Sequence, residues 1–448
     1  MSKLVELNGF IQAANGVFHV PQTYHEFAYT DGADTEQKLE QILRQADDLS
    51  SSSSELLAHV DDWPSEYHLS STRANLLRAL DLNGVSRVLE LGCGCGSISR
   101  YLGEQTEMHV DAIEGSPSRA ALAALRCRDQ SNVVVSTANF NDIQLPENYY
   151  DLILFVGVTE YAGRFSSSKT DQAALQGLLS MAKSASSDTG VTLIAIENRL
   201  GLKYLLGAKE DHYAVPFVGL DNYPDSSGIR TYSKVEWQKE IASAGFTNSR
   251  FLYPFPDYKI PTMIVTDAIA NNLESNNLES NNLEPSDSEG NVSGDVAGHN
   301  KPAILSEFYT ALEHFSSRDY NSNFSCQNEA VMWRALHQAG TFDQHSNSFL
   351  MLLSDSLETL DKMSDFQYKS YQAPEFDYLK SELRRPSSVT APVSDALNGG
   401  TQINSSDAEI IDLQNQLTTM HNELALLKGS KGWRLLNLVR RLLGNKPI

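Results

Sequence analysis

The run Val88-Leu89-Glu90-Leu91-Gly92-Cys93-Gly94-Cys95-Gly96 has the composition of a ligand-binding turn. An apolar stretch leads into glycines at alternate positions. Glycine lets a backbone take positive φ and lets a ligand come close to it. Ser97 follows, so the spacing is G-x-G-x-G and not the G-x-G-x-x-G that cradles a dinucleotide pyrophosphate. No phosphate-binding lysine follows either, which excludes a P-loop. Two acids complete the pattern. Glu90 precedes the glycines, where its carboxylate can meet a ligand cation. Glu114 ends the next apolar run, about twenty residues on, the position from which a carboxylate grips ribose hydroxyls. A ligand with a ribose and a positive charge but no phosphate meets these conditions, and S-adenosylmethionine is such a ligand.

Transfer of a sulfonium methyl is an in-line displacement, so its first requirement is alignment of donor and nucleophile. A hydroxyl acceptor also needs a base for its proton. Candidates follow the fourth and fifth apolar runs: Glu160-Tyr161, Glu197-Asn198-Arg199 and Lys209-Glu210-Asp211-His212-Tyr213. His212 beside Asp211 is the expected base, because imidazole titrates near neutrality. A surface-loop histidine is the bland reading of the same residue. Glu197 and Asp211 offer the alternative of a divalent metal pair; the expectation is no metal. Cys93 and Cys95 read as small fillers of the loop, and Asp151 as a structural acid at a strand start.

Such residues need elements to hold them. Strands are expected over Val85–Leu91, His109–Glu114, Asn132–Ser136, Asp151–Val158 and Val191–Glu197. Helices are expected over Glu36–Leu49, Arg73–Leu80, Ser97–Gly103, Pro117–Cys127, Gln172–Ala185 and Tyr232–Ala244, the last capped by Ser233. Arg250–Tyr253 and Met263–Thr266 read as two closing strands. Short apolar runs alternating with helices of about ten residues are the signature of a parallel, doubly wound α/β sheet with helices on both faces.

The chain has 448 residues, which suits two or three folded units. The expected organisation is an N-terminal cap over 1–62 and the α/β domain over 63–268. A disordered linker follows over 269–300, where the repeats NNLES, NNLES and NNLEP and acidic, Gly- and Ser-rich residues cannot bury enough apolar surface to fold. A small, mostly helical region is expected over 301–385 and a second linker over 386–406. Over 407–448 the reading is a coiled coil and a basic amphipathic tail. Ile410, Leu413, Leu417, Met420, Leu424 and Leu427 form a short a/d seam, suited to self-association or a partner helix. Lys428, Lys431, Arg434, Arg440, Arg441 and Lys446 with Trp433 make a pattern suited to a membrane surface, or to a solvated or partner-packed helix.

Lys plus Arg number 35 and Asp plus Glu 57, for a formal charge of −22. Such a surface repels phosphate backbones and argues against a nucleic-acid partner. Met1–Phe10 lacks a basic region followed by an apolar core, so no signal peptide is expected. Four cysteines are too few for a disulfide scaffold. The expected location is cytoplasmic, with peripheral contact at the inner membrane through the tail.

VLELGCGCG, the acid in DAIEGS and the strand YYDLILFVGVTEY resemble class I S-adenosylmethionine-dependent methyltransferases over roughly Trp63 to Thr266. The resemblance implies a Rossmann-like fold, a glycine loop holding the methionine part, and Glu114 binding ribose. It places adenine recognition at Asn139 beside Phe140, with Asp142 as the alternative; the family often has Asp there, and this sequence departs. IENRLGLKYLLGAKEDHY, GIRTYSKVEW, YPFPDYKIP and WPSEYHLSSTRANLLRAL are similar to methyltransferases encoded among bacterial surface-polysaccharide genes. In that group Tyr67, His68 and Arg73 would close over the cofactor. GSKGWRLLNLVRRLLG is similar to basic tails on O-antigen glycosyltransferases. The implied acceptor is a sugar hydroxyl of a lipid-linked O-antigen or other surface glycan. The rival readings are a methyltransferase for a small metabolite, lipid or protein, and a non-catalytic scaffold for glycan-assembly enzymes.

Overall fold

A strand in the middle of a parallel sheet has no solvent face, so it is apolar throughout rather than alternating. The computed structural model describes residues 2–20, 30–224, 226–270, 308–310, 312, 329–366 and 368–371. Its strands in chain order are Ile11–Gln12 (β1), Phe18–His19 (β2), Arg87–Leu91 (β3), His109–Glu114 (β4), Val133–Thr137 (β5), Tyr150–Val156 (β6), Ser186–Glu197 (β7), Asn248–Phe255 (β8), Met263–Thr266 (β9), Ser348–Ser354 (β10) and Tyr368–Ser370 (β11). They form one sheet in the order β1-β2-β5-β4-β3-β6-β7-β10-β8-β9-β11. From β5 to β7 every pairing is parallel. The chain adds β4 and β5 on one side of β3, then crosses to β6 and β7 on the other. This reversal opens a crevice at the carboxyl ends of β3 and β6, where open α/β sheets bind ligands. The fold is a Rossmann-like α/β sheet.

Helices Asp171–Ala185 and Lys234–Ser243 cover one face through Leu175, Leu178, Trp237 and Ile241. Ser97–Gly103, Pro117–Arg126 and Leu357–Met363 cover the other through Ile98, Leu102, Ala120, Ala123 and Leu360. Ser233 caps its helix reciprocally: its hydroxyl accepts from the Glu236 amide while the Glu236 carboxylate accepts from the Ser233 amide. Asp151 ties the amino ends of β3 and β6, accepting from the Ser86 and Arg87 amides at 3.2 and 2.9 Å and from the Arg87 guanidinium. Leu39, Leu43, Leu56 and Leu69 of the N-terminal segment share a small core with Cys95 and Leu122. Cys93, Cys95 and Cys127 are buried and unbridged.

The region after residue 301 differs from its expectation as a small helical appendage. Its strand β10 lies inside the sheet, antiparallel to both β7 and β8. Phe349, Met351 and Leu353 enter one core and Leu350 and Leu352 the other. Full burial contributes about 1.5–3 kcal/mol for each such side chain. The α/β body therefore extends past 268, and Asp267–Ala270 is a helical turn where the linker was expected to begin. The stretches 271–300 and 386–406, the seam over 410–427 and the tail over 428–448 lie outside the described residues. Among the described residues, no helix is long and apolar enough to cross a membrane.

Candidate active site

At the end of β3 the chain turns through Gly92–Gly96 into the helix Ser97–Gly103. The amides of Gly92 and Cys93 both donate to the Ile113 carbonyl, at 2.8 and 3.0 Å. Gly92 has φ +77°, and a Cβ there would sit 2.4 Å from Val158 Cγ2, so a side chain would break the join between the loops after β3 and β6. Gly94 donates its amide to Glu114 Oε2 at 2.7 Å, and a Cβ on it would meet Arg119 Nη2 at 2.9 Å. Gly96 packs behind the loop against Ala123 and does not face the crevice. Glu114 Oε1 accepts from the Ser116 amide at 2.9 Å. One carboxylate thus straps the glycine turn to the end of β4, with lone pairs remaining for a ligand.

The crevice holds about 800 Å³ of empty space, counting its open mouth. Glu90, Gly92, Gly94, Glu114, Phe140, Tyr67 and Arg73 all line it, as does His68. Arg73 is fixed by the carbonyls of Tyr258 and Lys259, at 3.2 and 2.9 Å, and donates to Tyr67 Oη at 2.8 Å. Asn139 does not line the crevice. Its side-chain oxygen is turned into a local turn, accepting from the Asn141 amide and carboxamide at 3.0 and 3.1 Å. Asp142 is likewise off the wall, which leaves Phe140 as the residue of that segment facing the crevice.

Arg119 on the wall and Asp31 behind it escaped the sequence. Arg119 projects from the helix Pro117–Arg126 to the Gly94 turn, and Asp31 bridges it to His68, at 3.4 and 3.0 Å. Burial opposes charging of His68, but Cys95 and Asp31 beside it carry it up to about 9. No local pattern links positions 31, 68 and 119.

Glu90 is buried and accepts from Ser99 Oγ at 2.5 Å. Burial pushes its carboxyl up to about 8, Glu114 adds to this, and Ser99 and Arg73 pull the other way. Between its ordinary value of 4.5 and about 8 the folded chain holds a proton that the unfolded chain has lost. This group therefore removes stability as pH rises through that window. A cation bound beside it favours the carboxylate, so binding is expected to release a proton and to tighten from about pH 6 to 8. Calorimetry in buffers of different ionisation enthalpy reads that proton, and Glu90→Gln should flatten the slope. An unchanged slope in Glu90→Gln would remove Glu90 from the linkage.

Next to the crevice lies a buried polar cluster. Tyr161, on the crevice wall, stacks edge-on against His212 with ring centres 5.3 Å apart. His212 Nδ1 lies 3.0 Å from Glu210 Oε1 and its Nε2 3.5 Å from Glu160 Oε1. Glu197, at the end of β7, meets Lys259 Nζ at 2.5 Å and accepts from Tyr258 Oη at 3.3 Å. The same Tyr258 hydroxyl sits 2.7 Å from where a Cβ of Gly157, also on the crevice wall, would be.

The expected pairing of His212 with Asp211 is not found. Asp211 turns to Lys203 and Lys259, both at 2.9 Å, and to the Tyr204 hydroxyl. Burial works against a charged His212, but Glu160 and Glu210 hold it well above the ordinary imidazole range. With no ligand at Nε2, His212 is thus held charged between the two acids and is not a free base. Glu197 and Asp211 share Lys259 between them, which fills the place of the metal considered for that pair.

The fold is an open α/β sheet with a glycine turn and an acid-lined crevice at the carboxyl ends of β3 and β6. Residues 88–178 match the family described as Methyltransferase domain. The matched stretch includes the glycine turn and Glu114. A search of curated proteins finds no match. Solved structures with a similar fold include phosphoethanolamine N-methyltransferase 2 of Haemonchus contortus in complex with S-adenosyl-L-methionine. That likeness has 14% identity and a TM-score of 0.32, and covers 64% of this chain and 52% of the other, about half its length. A methyltransferase of Archaeoglobus fulgidus is 14% identical, TM-score 0.33, over 64% of this chain and 96% of that one. One of Aquifex aeolicus is 20% identical, TM-score 0.29, over 43% and 87%.

Proposed function

We propose that this protein transfers the methyl group of S-adenosylmethionine to a sugar hydroxyl of a lipid-linked O-antigen or other surface polysaccharide. Bound in the crevice, the cofactor supplies an electrophilic methyl whose C–S electron pair returns to sulfur as the new O–C bond forms. Glu90 meets its positive charge, Glu114 its ribose, and Phe140 its base. Tyr67 and Arg73 close the other wall.

The observation that carries the acceptor half is the polar cluster beside Tyr161. Glu160 and Glu197 each keep a buried carboxylate oxygen with no hydrogen-bond partner. Such oxygens can receive the hydrogen of an incoming hydroxyl, and a buried acceptor without a donor is costly enough to need a reason. The loop after Glu210 supports the same reading. Ala214, Phe217, Asn222 and Tyr223 hold positive φ without being glycine, a strain that proteins keep where a segment must be positioned. Val215 and Phe217 on that loop are exposed, and an exposed ring offers a face for a sugar. The polysaccharide class rests on the resemblance of the acceptor loops and the tail.

The test is transfer of radiolabelled methyl from S-adenosylmethionine to isolated polysaccharide and its lipid-linked precursor. Label in the glycan is the expected result. Label appearing instead in protein or a small metabolite would overturn the acceptor, and binding without turnover would make the chain a scaffold.

A further inference from the structure

The cluster behind Tyr161 has features that hydroxyl binding alone does not require. One donor atom each from Glu160, Glu197 and His212 lie within 4.8 Å of one another. Glu160 is 3% exposed and Glu197 1%. Burying two carboxylates side by side is unfavourable unless positive charge compensates them. In the metal-free chain Lys259 meets one oxygen of Glu197 and the charged His212 ring faces one oxygen of Glu160, so a bound cation takes the place of the proton on His212 Nε2. The second oxygen of Glu197, and Oε2 of Glu160, have no hydrogen-bond partner.

We propose that Glu160, Glu197 and His212 form a binding site for a first-row divalent cation. The idea rests on the methyltransferase reading above and assigns the means by which the acceptor hydroxyl is held. The neighbours of His212 are arranged as metal-bound imidazoles require. A ligating histidine donates its other ring N–H to a carboxylate, which fixes the tautomer and aims the free nitrogen. Glu210 Oε1 lies 3.0 Å from His212 Nδ1 and so directs Nε2 toward Glu160. Glu210 is itself held, by the amides of His212 and Tyr213, both at 2.8 Å, and by the Tyr223 hydroxyl at 3.1 Å. Lys259 does the corresponding work for Glu197, occupying Oε1 and leaving Oε2 for a ligand.

Two carboxylates and one imidazole form a mixed oxygen and nitrogen set. It suits manganese, iron, cobalt or zinc better than the all-oxygen shells preferred by magnesium and calcium. Three protein ligands leave coordination positions open for a substrate oxygen. A hydroxyl bound there becomes more acidic, the Lewis-acid role of a metal, and its proton passes to solvent as the O–C bond forms. Tyr161, itself on the crevice wall, stacks against His212, so the cation site lies beside the crevice.

The experiment uses the full chain, freed of metal by dialysis against a chelator and titrated with Co2+. The expected result is one equivalent bound, with visible absorption bands of four- or five-coordinate cobalt that Zn2+ displaces. Glu160→Gln and Glu197→Gln, which keep side-chain size, should each weaken Co2+ binding at least tenfold, and His212→Ala should shift the bands. Wild-type chain that takes up no Co2+ overturns the proposal without reference to any variant. So does binding that both Gln variants leave unchanged. Methyl transfer into glycan that persists at full rate under chelation would remove the metal and leave the methyltransferase reading standing. Co2+ binding with no label in glycan would do the reverse.

Discussion

Replacing Glu114 by alanine is expected to weaken S-adenosylmethionine binding by roughly 5- to 150-fold, the equivalent of about 1–3 kcal/mol. The carboxylate has two tasks. It faces the crevice where the ribose is expected, and it accepts from the amides of Gly94 and Ser116. Alanine removes the ribose partner and leaves two amides at buried positions without their acceptor, so the glycine turn loses its strap as well. Glu114→Gln separates the two effects. Its amide oxygen can still accept from one of the backbone donors, so the turn should hold better than in the alanine variant while the charge is gone. Titration calorimetry of the three proteins gives the comparison. Affinities within twofold of one another would mean that the ribose lies elsewhere.

The second large effect is on stability. Lys259 Nζ lies 2.5 Å from Glu197, 2.9 Å from Asp211 and 3.8 Å from Asp257. It is the cation between the acids at the ends of β7 and of the 203–211 segment. Lys203 reaches Asp211 at 2.9 Å and Asp257 only at 3.9 Å, so it cannot replace Lys259 at Glu197. Removing one partner of a buried charge pair strands the other, at a cost of about 3–5 kcal/mol. Lys259→Met keeps the length of the stem and removes the charge. A fall of that size is expected in urea unfolding of the metal-free chain. A loss under about 1 kcal/mol would mean that Glu197 and Asp211 are neutral or solvated without their lysine.

The glycine-turn wall of the crevice was legible in the sequence because it is local. Gly92, Gly94 and Glu90 lie within five residues, and Glu114 follows one helix and one strand later. The helix Ser97–Gly103 and the strands His109–Glu114 and Met263–Thr266 fall where their patterns place them. β10 was not legible as a sheet strand. Ser348–Ser354 is a short apolar run, and periodicity alone does not separate a buried strand from a buried helix. Its partner β7 ends some 150 residues earlier, so nothing nearby in the chain announces the pairing.

The polar cluster beside Tyr161 was half legible. Counting from strand ends reached Glu160, Glu197 and His212, which the fold brings together. It failed on partners. Asp211 and His212 are neighbours in sequence, yet one side chain turns to lysines and the other to Glu210 and Glu160. Lys259, which organises the acids, comes from the loop between β8 and β9, and no spacing points to it. Asn139 lies off the crevice, and its side chain is spent on a local turn, as Asn side chains often are.

The most direct test is equilibrium dialysis of the full chain against tritiated S-adenosylmethionine, with unlabelled S-adenosylhomocysteine, NAD and ATP as competitors. One equivalent should be retained per chain, lost to the thioether nucleoside and untouched by either phosphorylated one. Label that stays outside the bag, or that NAD drives off, would contradict a phosphate-free nucleoside seat at Gly92–Gly94.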